Sequence, residues 1–96
     1  MSSLTIATFH TTLDTISVPL EITVEWSKHG GFGGHAGYVV SETANTTPHL
    51  PVAASQTRTV KVFAMGENLK AVAWAVRRFN RYERIRDEKS KRSFVR

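Results

Sequence analysis

Two stretches of this chain carry residues whose types and spacing could do chemistry: a glycine-rich run at 28–35 and a basic segment in the last third. The first reads Lys28-His29-Gly30-Gly31-Phe32-Gly33-Gly34-His35. A phosphate cradle needs a helix after the glycines, with its amides aimed at the anion. Here the β-type run Gly37-Tyr38-Val39-Val40 follows, and the only lysine precedes the glycines. An oxyanion-loop reading of His29-Gly30-Gly31-Phe32 fails because no Gly-x-Ser-x-Gly nucleophile turn exists in the chain. His29 and His35 could meet across a hairpin, with Glu25 or Glu42 as a third metal ligand, but two histidines without a thiolate do not define a site. His10 and His49 stand alone. Glu21 and Glu25 share a strand face, roughly 13 Å apart at about 3.3 Å per residue, too far for a glycosidase carboxylate pair. With zero cysteines there is no thiol nucleophile, disulfide or thiolate zinc site. The expectation is therefore a non-enzyme without catalytic residues, metal, cofactor or small-molecule substrate. Phe32, set between glycine pairs, is expected as an exposed aromatic on an adaptable loop that can enter a partner's groove.

The second stretch is defined by charge. The formal net charge is +5, and it is unevenly placed. Residues 1–48 hold one base, Lys28, against four acids, whereas residues 49–96 hold twelve bases against four acids. Residues 77–96 alone carry nine bases and three acids. Such a block attracts phosphates or acidic protein surfaces and speeds encounter. On a helical wheel started at Leu69, Arg84, Arg77, Lys70 and Arg81 fall at about 60°, 80°, 100° and 120°. Trp74, Ile85 and Arg78 flank them at about 140°, 160° and 180°. Guanidinium groups bind phosphate or carboxylate oxygens in pairs, and an indole stacks on bases or fills protein pockets. A basic row with interleaved aromatics is a footprint for nucleic acid or for an acidic protein surface.

Those side chains need elements to hold them. Ile16, Val18, Leu20, Ile22, Val24 and Trp26 occupy alternate positions with polar residues between, which predicts a strand over 16–26 with one buried face. Pro19 cannot donate a ladder hydrogen bond, so an edge, bulge or break is expected there. Shorter alternations predict strands at 4–9, at 38–42 with Tyr38 and Val40 on one face, and at 57–64 with Val60, Val62 and Ala64 on one face. Gly30 to Gly34 reads as the turn between the second and third strands, and residues 43–56, with two prolines, as a long connection. From Gly66 the period becomes 3.6 and predicts a helix over 67–89 with a flexible tail at 90–96. On the wheel Leu69, Val72, Ala73, Val76 and Phe79 lie in an arc from about 280° to 40°, the face expected to lie on the sheet, with the basic stripe beside it. Glu67 is expected in the first turn, where it complements the helix dipole.

These elements make one α+β domain over 1–96: an antiparallel sheet of about four strands packed against one long C-terminal helix in two layers. No run approaches the roughly 20 apolar residues of a membrane span, and no signal peptide is read at the N-terminus, so a cytoplasmic location fits. The stretch Gly66-Glu67-Asn68-Leu69-Lys70-Ala71-Val72-Ala73-Trp74-Ala75 is similar to the last helix of a double-stranded-RNA-binding domain. That family's first helix should precede the strands, where this chain reads as strand, and its lysine-rich helix start is reduced to Lys70, so its function is not carried over. In size, lack of catalytic groups and sheet-plus-helix design the chain also resembles small phage-encoded inhibitors of host machinery. The leading expectation is a binding protein whose basic helix, through Lys70, Trp74, Arg77, Arg78, Arg81 and Arg84, docks on nucleic acid or a nucleoprotein complex and acts by steric occupation. The alternative is a protein–protein inhibitor or adapter that uses Trp74, Phe32 and an exposed strand edge. A homodimer is compatible with either.

Overall fold

A computed structural model describes residues 3–12, 19–45 and 55–94. Four strands, β1 (Ser3–Thr12), β2 (Pro19–Ser27), β3 (Gly37–Asn45) and β4 (Ser55–Ala64), form one sheet in the order β1-β2-β3-β4. Every neighbouring pair is antiparallel. The one α-helix among the described residues, α1 (Asn68–Phe94), follows β4 and lies across one face of the sheet. The fold is α+β in two layers, as the change of period from two to 3.6 implies.

The alternation in β2 decides which face is covered. Leu20, Ile22 and Val24 are buried, and Trp26 continues the same face half-buried. Pro19 opens the strand opposite Thr12, a position where the missing N–H costs the ladder least. Residues 16–18 of the expected strand lie outside the described residues. The connection expected at 43–56 is shorter than its prolines suggested. Residues 43–45 extend β3 and residues 55–56 extend β4, where β-branched Thr43 and Thr57 pair with hydroxyl oxygens 2.8 Å apart.

The face of β4 differs from the simple alternation. Phe63, not Val62, enters the core at 9% exposure, opposite Tyr38. The register slips where Val40 pairs with Lys61 but Ser41 pairs with Thr59, leaving Val60 as an extra residue. Such a bulge resets the two-residue period, so Val60 also packs against the core. Gly37 is required by close approach: a Cβ there would stand 2.2 Å from the Phe63 carbonyl oxygen.

The helix begins beyond a turn at Gly66, whose φ of 91° is open to glycine without strain. Glu67 stands one residue before α1, a correction to its expected place in the first turn. Its carbonyl accepts the Ala71 N–H at 2.9 Å, which opens the helix, and its carboxylate accepts the Ala64 N–H at 2.7 Å, which ties that start to β4. That bond to the Ala64 N–H, followed by one from Lys70, holds the carboxyl below its ordinary value. At the other end the expected tail at 90–94 is helical, and residues 95–96 lie outside the described residues. The run from Arg84 to Phe94 has neither proline nor glycine and is rich in Arg, Lys and Glu, so nothing in it stops the helix.

The helix rests on a different side from the one expected. Ala71 and Ala75 are fully buried, while Leu69 is 79% exposed and Ala73 is exposed. Val72, Trp74, Phe79 and Tyr82 complete the contact, with the Phe9 and Phe79 rings 5.8 Å apart. The buried arc is thus centred near 230° instead of about 340° on the wheel. Two methyl side chains let the backbone approach the sheet closely, and the larger residues on both flanks reach down around it. Leu69 is more hydrophobic than either alanine, but only the alanines are small enough to sit against the sheet.

Candidate nucleic-acid interface

Rotating the helix moves the basic row from the side of the core to the face directly opposite it. Lys70, Arg77, Arg81 and Arg84 are all exposed on the outward surface of α1, and Asn80 joins them. Among the described residues Arg77, Arg81 and Arg84 form no ion pair, whereas Lys70 Nζ lies 3.4 Å from Glu67 Oε2 at an exposed site where such a contact is weak.

Arg78 is corrected out of this row. Its guanidinium points toward the sheet, with Nε 2.5 Å from Glu42 Oε2 and Nη2 3.2 Å from Glu42 Oε1. It also lies over the Trp74 and Tyr82 rings, 5.5 and 5.4 Å from their centroids. Trp74 is half-buried against the core and under this cation, so it is not a freely presented stacking platform. Both stand near 140°–180° on the wheel, on the flank that turns down toward β4. Their position there leaves a shallow recess of about 250 Å³ lined by Trp74, Arg77, Arg78 and Arg81.

Glu42, a candidate third metal ligand by sequence, is instead the buried acid that holds the helix on the sheet. It is 4% exposed, on the helix-facing side of β3. Arg78, Arg58 (3.2 Å) and the Tyr82 hydroxyl (2.8 Å) all donate to its carboxylate. Burial alone pushes this carboxyl up, but the bonds from Arg78 and Tyr82, the charge of Arg78 and the bond from Arg58 outweigh it and hold it below its ordinary value. The same bond with Glu42 raises Arg78, against the opposing effect of its own burial. For Tyr82, burial and then the bond to Glu42 push the phenol up. The signal was present in the sequence: Tyr38, Val40 and Glu42 alternate, so an inward Tyr38 and Val40 place Glu42 inward too, where a carboxylate needs a cation. This cluster pins the middle of the helix to β3. A second set, Thr11 donating to Glu83, with Arg86 reaching Glu83 at 2.6 Å and Thr12 at 3.4 Å, pins its later turns to β1.

Charge is therefore sorted by layer. Glu21 and Glu25 sit on the far face of the sheet with Thr23, away from the helix, and Glu21 lies 3.8 Å from His10. Arg58 and Lys61 stand on the helix side of β4, opposite Glu42 and Val40 respectively. The outward ridge of α1, with Arg58 and Lys61 below its flank, makes one cationic side.

The glycine run forms a tight turn, with Phe32–Gly34 as a 3₁₀ segment and the Gly31 N–H donating to the His35 carbonyl at 2.9 Å. Phe32 is 69% exposed at its tip, remote from the arginine row in sequence and on a different element. Glu42, committed to its arginines, is unavailable to His29 and His35, and no cluster of three metal-ligating residues occurs among the described residues. Nor is any helix among them long and apolar enough to cross a membrane. Compared with known proteins, the chain matches no family model, no curated protein and no solved structure.

Proposed function

We propose that this chain is a non-enzymatic binding protein whose basic helix docks on nucleic acid, alone or within a nucleoprotein complex, and acts by occupying it. The observation that carries this reading is the row of Lys70, Arg77, Arg81 and Arg84, exposed along one ridge with its three guanidinium groups unpaired among the described residues. Arginines that merely anchored the helix would be matched by carboxylates, as Arg78 and Arg86 are. Holding cations apart from the molecule's own acids leaves their field to an external anion. Reversing Arg77 and Arg81 to Glu should abolish binding to duplex and single-stranded DNA at about 50 mM salt while the melting temperature hardly changes. Retained binding would refute the proposal.

A second reading, a protein–protein inhibitor or adapter of the small phage-encoded kind, is favoured by Phe32 and by Leu4 and Ile6 on β1, 69%, 68% and 45% exposed. Here β1 is an edge strand without a charged residue to blunt it. Trp74 no longer supports that reading. A target lost with Phe32→Asp but kept with the double arginine reversal would select it.

A further inference from the structure

The rotated helix presents a pattern more specific than charge. Ala73, Arg77, Asn80 and Arg84 are all exposed and fall within about 20°–80° of the wheel, in the centre of the outward face. They rise over roughly 16 Å of helix axis, the length of about five base pairs. Lys70 and Arg81 stand on one shoulder of this ridge at about 100°–120°. Arginine and asparagine are the side chains whose paired donors and acceptors match guanine and adenine in the major groove. The alanine admits a close approach at the start of the row. From these placements, and resting on the nucleic-acid reading above, we infer that α1 enters the major groove of double-stranded DNA. Arg77, Asn80 and Arg84 face base edges there, and Lys70 and Arg81 hold one phosphate backbone.

Shape and charge agree with a duplex occupant. The molecule is 51 × 31 × 18 Å, and the thin dimension is one sheet plus one helix, so no described element rises beside α1. A ridge that stands proud can enter a groove about 12 Å wide and 8.5 Å deep. Lys61, exposed on the helix side of β4, adds a cation beside the ridge. Asp87 and Glu88, both exposed, interrupt the cationic row one turn after Arg84. Single-stranded nucleic acid fits less well, because its binding leans on exposed aromatic platforms and Trp74 is half-buried. An RNA duplex fits less well again, since its major groove is too deep and narrow for side chains on a helix.

The test starts from selection on a randomised 14-base-pair DNA duplex library with the purified full chain. An enriched motif should appear, containing guanine and adenine within about five adjacent base pairs. On the selected duplex, Asn80→Ala should lose roughly 5- to 150-fold in affinity while binding to unselected duplex is unchanged. Arg81→Ala should weaken every duplex alike and reduce the salt slope by about one. The RNA duplex of the same sequence should bind at least about tenfold more weakly. Asn80→Ala sits on an exposed helical position and should melt no lower than the parent. Equal binding to DNA duplex, RNA duplex and single strands without an enriched motif would overturn major-groove reading and leave docking by charge in place. No binding to any of the three at about 50 mM salt would overturn both.

Discussion

Replacing Arg78 by alanine should separate the arginine that holds the fold from those that face outward. Glu42 is 4% exposed, and Arg78 supplies two of the four hydrogen bonds that its carboxylate accepts. Removing one partner of a buried ion pair costs about 3–5 kcal/mol, because the other charge is left in the interior. The Arg78 side chain is 23% exposed, and Tyr82 and Arg58 stay behind to compensate, so the cost should fall near 2–3 kcal/mol. For a domain of this size that lowers Tm by roughly 10–20 °C. Urea denaturation at pH 7 measures it, with Arg81→Ala expected within about 0.5 kcal/mol of the parent as the exposed control. The pH dependence has a fixed sign. A carboxyl whose folded pKa is lowered contributes stability above its ordinary value, here 4.5, and loses it as pH falls through the lower folded value. The gap between parent and Arg78→Ala should therefore narrow as pH falls below 4.5 and the parent's Glu42 takes up its proton. An Arg78→Ala variant as stable as Arg81→Ala at pH 7 would refute the reasoning, as would a gap that widens in acid.

Three further outcomes follow from the packing. Ala75→Leu should cost about 1–3 kcal/mol by forcing the helix off the sheet at a fully buried contact, read as a drop in denaturation midpoint. Gly37→Ala should destabilise more than any exposed-site change and broaden amide signals of β3 and β4 in NMR spectra, since its Cβ would collide with the Phe63 carbonyl. Glu67→Ala should lose the contact that joins the start of α1 to β4, read as faster amide exchange at Ala64.

How much of this was readable in the sequence depends on which residues carry the pattern. The alternation from Leu20 to Trp26 and the change of period after Gly66 determine a sheet of one covered face and a single helix, because each side chain's direction follows from backbone geometry alone. The helix phase was not readable the same way. Its apolar residues span about 260° of the wheel, from Trp74 round to Ala73, and only the close fit of Ala71 and Ala75 against the sheet selects the centre. The β4 bulge at Val60 is likewise a product of pairing with β3, invisible in β4 alone. The basic row survived the error because Arg77, Arg81 and Arg84 share one face whatever the phase. Arg78 did not, since its role is decided by Glu42, 36 residues earlier. Asn80 entered the site only when the rotation brought it outward.

The most direct test of the cationic ridge is a salt titration of equilibrium binding between the full chain and a short DNA duplex, followed by fluorescence anisotropy. Each phosphate neutralised contributes about −0.9 to the slope of log K against log salt. Lys70 and Arg81 on phosphates predict a slope of about −2, growing to about −4 where Arg77 and Arg84 meet phosphates as well, and Arg81→Ala should shrink it by about one. Binding with a slope near zero, or a slope untouched by Arg81→Ala, would contradict a helix that meets its partner through this ridge.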